Sequence, residues 1–120
     1  MSFLKNLFGK EEPFVPVPTQ EIPGLEPLVV QVAETIFPNP EDQQVVFRDL
    51  LAAKADSMHD LVTIRLNILF YSDGKIDEFS RMVIKIKDLD PIRDIWSFKD
   101  VKKWAVNVIK AGRYVTKPML

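Results

Sequence analysis

MHDLVTIRLNILFYSDGKIDEFSRMVIKIKDL, residues 58–89, is the stretch on which the fold turns. Val62, Ile64, Leu66, Ile68 and Phe70 alternate as a half-buried strand does, and Asp73-Gly74 is a favoured hairpin turn. A helix accounts for the same residues differently. Asp56, Asp60, Thr63 and Asn67 then fall at i, i+4, i+7 and i+11, one thin wet stripe on an otherwise apolar cylinder, which is the signature of a central buried helix. The next segment decides between the two. Phe79, Met82, Val83, Ile86 and Leu89 keep a period near 3.6, and Asp77, Glu78, Ser80, Arg81, Lys85, Lys87 and Asp88 fill the opposite face, leaving only Ile84 out of place. The reading is therefore helix, turn, helix, with Gly74 ending the first and Asp77 capping the second. The competing fold is α+β with a hairpin around Gly74.

Working outward from this pair, the flanking segments carry clear helix punctuation. Pro27 opens a helix with Leu28, Val32 and Ile36 on one face, and Pro38 closes it. Asn39-Pro40-Glu41-Asp42 supplies a cap, a first-turn proline and two acids at the positive end of a helix dipole. Val46, Leu50 and Ala53 form the inner stripe of the helix that follows, with Phe47 and Leu51 beside them. After Asp90-Pro91 and a short turn through Trp96, Ser97-Phe-Lys-Asp100 is an acidic variant of the capping box. It opens a last helix whose inner face is Phe98, Val101, Trp104 or Ala105, and Val108.

The start of the chain differs in character. Phe3, Leu4, Leu7 and Phe8 lie on one stripe of a helix of about two turns, ended by Gly9, too short to hold its shape alone in water. Residues 11–26 contain Pro13, Pro16, Pro18 and Pro23, which make an extended, polyproline-like spacer. Its Phe14, Val15, Val17 and Ile22 are apolar for a free linker and suit a path along the globule or a partner. The organisation expected is an amphipathic segment at 1–10, a proline-rich spacer at 11–26, a helical domain at 27–116 and a tail at 117–120. The fold class is all-α, a compact bundle of four to five helices.

Residues 68–78, Ile-Leu-Phe-Tyr-Ser-Asp-Gly-Lys-Ile-Asp-Glu, resemble the helix-turn-helix centre of the tellurite-resistance B-like all-α domains, in which a buried helix ends in Asp-Gly and an acidic-capped helix follows. The resemblance extends over roughly residues 66–86. It departs from the family's pattern at Ser72, Phe79 and Ser80. It implies an α fold and carries no functional residues across.

Composition narrows the function. With no cysteine and one histidine, thiol chemistry and transition-metal sites lack ligands. The four glycines are too scattered for a phosphate-cradling loop, and no Gly-x-Ser-x-Gly elbow accompanies a serine. His59, next to Asp60 near a helix start, is expected to face solvent. The acids around Gly74 lack the alternate-ligand spacing of a calcium loop. These features point away from an enzyme and from any cofactor, metal or small-molecule substrate.

They point toward binding. Hydrophobic residues are 47% of the chain, more than a core of this size needs, so a protein partner or a homo-oligomer is expected to cover the surplus. Net charge is −1, but residues 1–74 carry −6 and residues 75–120 carry +5. Two surfaces follow from these patterns. One is Phe3, Leu4, Leu7 and Phe8, suited to a partner groove or a bilayer headgroup boundary. The other is the basic side of the last helix, Lys99, Lys102, Lys103, Lys110 and Arg113, suited to an anionic leaflet or, as the alternative, to nucleic-acid phosphates. The function expected is a cytoplasmic adaptor or accessory subunit that uses the N-terminal amphipathic segment to dock on a protein partner or on the inner face of a membrane; the alternative is a nucleic-acid-binding regulator that uses the basic last helix.

Overall fold

The structure is a computed structural model that describes residues 14–112. The amphipathic stripe Phe3, Leu4, Leu7 and Phe8, together with Arg113 and the tail, lies outside the described residues. The described elements are α1 (Pro27–Ile36), α2 (Pro40–Ala52), α3 (Met58–Ser72), α4 (Ile76–Lys85), a 3-10 turn (Ile86–Asp88) and α5 (Phe98–Ala111), with no strand among them. The all-α reading of residues 58–89 holds, and the hairpin around Gly74 is replaced by a helical turn. In that turn Asp73, not only Gly74, takes the left-handed conformation, at φ 58°.

Three of the five described helices begin where a side chain accepts from a free N–H of the first turn, while α1 opens on Pro27, which has no N–H to satisfy. Asn39 accepts from Glu41 N at 2.8 Å, Ser57 from Asp60 N at 3.1 Å and Ser97 from Asp100 N at 3.2 Å. The second helix of the central pair corrects one expectation. Lys75 occupies the N-cap of α4 without a side-chain bond, and Asp77 stands inside the first turn beside Glu78. There both carboxylates face the positive end of the helix dipole, so the acids act through charge and not as caps.

The α3 helix is the centre of the molecule, packed against α1, α4 and α5, while α2 contacts α1 and α4. Its Leu66, Ile68, Leu69 and Phe70 are buried, as are Val101, Trp104, Ala105 and Val108 of α5. Rings stack through this interface: Phe70 lies 5.2 Å from Trp104 and 4.6 Å from Trp96, while Phe37 meets Phe79 edge-on at 5.8 Å. Leu51, expected beside the inner stripe of α2, is instead 42% exposed, and Ile84, the residue out of register in α4, is 70% exposed.

The wet stripe on α3 is also corrected. Asn67 is fully buried, and so is Arg65, which interrupts the apolar run. Each is satisfied by backbone far away in sequence. Arg65 donates to Leu50 O at 2.9 Å and Gly24 O at 3.0 Å and pairs with Glu26 at 3.2 Å. Asn67 donates to Trp96 O at 3.0 Å and accepts from Trp96 N at 2.8 Å. These polar groups are staples: one ties the C-terminal turn of α2 and the start of α1 to α3, the other fixes the segment before α5.

The proline-rich stretch from Phe14 is laid along the globule. Phe14 and Ile22 pack on the core, Val17 N donates to Gln31 at 2.7 Å, and Thr19 bonds through both its N–H and its hydroxyl to Glu34. Contacts advance from Gln31 to Glu34 as the chain advances from Val17 to Thr19, so the stretch runs parallel to α1. Its Phe14 end therefore points toward the N-terminus of α1.

Candidate functional site

Two surface features have the geometry of a site. The first is a cleft of about 900 Å³ that sequence reading did not anticipate. One wall is the C-terminal turn of α2 and the connection to α3, with Asp49, Lys54 and Asp56. The floor is α3, from His59 through Ile64 to Ile68. The far wall is Val83, Ile86 and Lys87, and the segment from Leu89 to Phe98 closes one end with Trp96. Its side chains come from four separate parts of the chain, which is why no local pattern betrayed it.

The Leu89–Phe98 segment is well anchored. Besides the Asn67 clamp, Tyr71 donates its hydroxyl to Asp94 O at 2.6 Å, and the Asp90 carboxylate accepts from Ile92 N at 2.8 Å. The Arg93 guanidinium bonded to Asp94 holds that carboxyl below the usual carboxylate range, aided by the Asp90 N–H, and Arg93 is raised in turn. This bracing fixes Trp96 as a half-buried wall of the cleft. His59 stays exposed as expected, its ring 5.2 Å from Phe98.

The second feature is the outer face of α5. Lys99, Lys103 and Lys110 fall on one line opposite the buried Val101, Trp104, Ala105 and Val108, with Lys102 alongside. All four lysines are exposed, and no ion pair engages them among the described residues. Val106 stands half-buried between them, and Lys102 Nζ lies 5.7 Å from the Phe98 ring centroid. At 1.5 Å per residue the row from Lys99 to Lys110 is roughly 16 Å long. The structure thus gathers four of the five expected basic residues on one face, and the fifth, Arg113, falls outside the described residues. Trp104 is core, with its Nε1 buried and without an acceptor among the described residues.

No helix among the described residues is long and apolar enough to cross a membrane, and no cluster of described His, Asp or Glu side chains is arranged to hold a metal ion. Comparison with protein-family models, with curated proteins and with solved structures finds no match to this chain.

Proposed function

We propose that this protein is a non-enzymatic binding module, an adaptor or accessory subunit, that docks on an anionic membrane surface through the basic face of α5. The observation that carries the reading is that Lys99, Lys102, Lys103 and Lys110 project from one helix face with no carboxylate partner among the described residues. Lysines held in ion pairs would have little attraction left for a partner; these keep theirs. Near an anionic leaflet each basic residue is worth about 1 kcal/mol, and the field fades within a Debye length.

Charge alone gives weak and reversible attachment, and stable anchoring takes a second, apolar signal. Phe3, Leu4, Leu7 and Phe8 supply it. Four such side chains offer roughly 1.5–3 kcal/mol each before the cost of ordering is subtracted. A membrane suits the face better than nucleic acid does, because Val106 sits among the lysines and the two tryptophans, Trp96 and Trp104, lie away from it. The ring at its edge, Phe98, is half-buried between His59 and Lys102, so it offers a base little free face to stack on.

Vesicle co-sedimentation tests the reading. The chain should pellet with phosphatidylserine-containing vesicles and not with phosphatidylcholine alone. A Lys102→Glu, Lys103→Glu, Lys110→Glu variant should stay in the supernatant with unchanged helicity. Equal sedimentation with both lipids, or tighter binding to duplex DNA than to anionic vesicles, would overturn it.

A further inference from the structure

We propose that the cleft between α2, α3 and α4 is a docking site for the chain's own segment Ser2–Phe8, which seats Phe3, Leu4, Leu7 and Phe8 against its apolar floor. Pattern, charge and reach converge on this occupant. The floor and far wall expose Ile64, Val83, Ile86 and Trp96, a surface of the kind that takes the i, i+4 anchors of a short amphipathic helix. A volume of about 900 Å³ is at the upper end of small-molecule sites and suits several side chains entering together.

Charge is complementary. Segment 1–10 carries Lys5 and Lys10 and no acid. The near wall of the cleft carries Asp49, Asp56 and Asp60, of which Asp56 and Asp60 have no ion-pair partner among the described residues. Lys54 and Lys87 also line the cleft, so the attraction is confined to the wall shared by α2 and the start of α3.

Reach decides that the segment can serve its own globule. Phe14 points toward the start of α1, the end that Glu26, Arg65 and Leu50 tie to the C-terminal turn of α2. Asp49, Ala52 and Ala53 of that same turn form the near wall. The six steps from Phe14 back to Phe8 span up to about 20 Å when extended. A short tether of this kind sets an effective concentration in the millimolar range, which makes even weak docking populated. The assignment stands apart from the membrane reading. Where both apply, cleft and leaflet compete for the same four side chains, and the stripe is sheltered until a bilayer draws it out.

The test uses the full chain with Phe3→Ser, Leu4→Ser, Leu7→Ser and Phe8→Ser as receptor and a synthetic peptide of residues 1–10 as probe. Trp96 lines the cleft while Trp104 is only 2% exposed, so a change in emission reports the cleft. Saturable binding is expected, about tenfold or more weaker to the native chain, whose own segment competes. It should be weakened by Asp56→Lys, lost with Val83→Asp, and kept with Ile84→Asp one residue away on the exposed side of α4. Absence of saturable binding to the serine variant, or binding indifferent to both cleft substitutions, would overturn the proposal. So would concentration-dependent dimerisation of the native chain that Val83→Asp abolishes, because it would assign the cleft to a second copy.

Discussion

The carboxamide of Asn67, buried at the middle of α3, exchanges two hydrogen bonds with the backbone of Trp96, 29 residues later. This pair turns an irregular segment into a fixed wall, because neither Trp96 group has a strand or helix partner. Asn67→Leu leaves both backbone groups without their partner, and unsatisfied groups of this kind cost about 1–3 kcal/mol each when buried. Chemical denaturation should show a loss of about 2–6 kcal/mol on that basis. Trp96 emission should shift to the red before the global transition.

Arg65 is expected to behave as a staple and not as a surface charge. Arg65→Ala removes its bonds to Leu50 O, Gly24 O and Glu26 at once and should cost about 3 kcal/mol or more. Glu26→Gln leaves the guanidinium buried against neutral carbonyls and should cost about 1–2 kcal/mol. Unfolding midpoints of the two variants in low and high salt check this; the Arg65→Ala loss should be nearly insensitive to salt.

At Trp104 two effects oppose each other. Its Nε1 is buried without an acceptor among the described residues, so Trp104→Phe removes a costly donor while leaving a small void. The net change should be within about 1 kcal/mol of zero. Trp104→Ala removes the same donor but opens a far larger cavity beside Phe70, and should cost about 3–5 kcal/mol.

The Arg93–Asp94 contact makes a pH prediction with a definite sign. A carboxyl held below its unfolded value contributes stability above that value and loses it as pH falls through the folded one. Asp94 is held down first by Arg93 and next by the Asp90 N–H. The 90–94 turn should therefore stay intact through the ordinary carboxylate range and loosen only below it. In Arg93→Gln the Asp94 carboxyl should titrate at higher pH, as followed by carboxyl-carbon NMR.

Local chemistry made much of the fold legible. Asn39-Pro40 and Ser97 through Asp100 place helix starts because capping acts within three residues. The 3.6 period of α4 settled what the alternation in α3 left open. Asn67 was misplaced, and Arg65 left unassigned, for the opposite reason: their partners are the backbone of Leu50, Gly24 and Trp96, and nothing local distinguishes a solvated polar residue from one satisfied across the core. The cleft escaped detection likewise, since its walls meet only in the folded chain. The lysine face of α5 was legible because all its members share one helix.

Anionic-vesicle affinity measured while Lys99, Lys102, Lys103 and Lys110 are replaced by glutamine one at a time, across a salt series, tests the account most directly. Each replacement should weaken binding by about fivefold, the equivalent of about 1 kcal/mol, and the salt dependence should flatten with each charge removed. Affinity that stays constant through all four replacements, or that does not respond to salt, would contradict it.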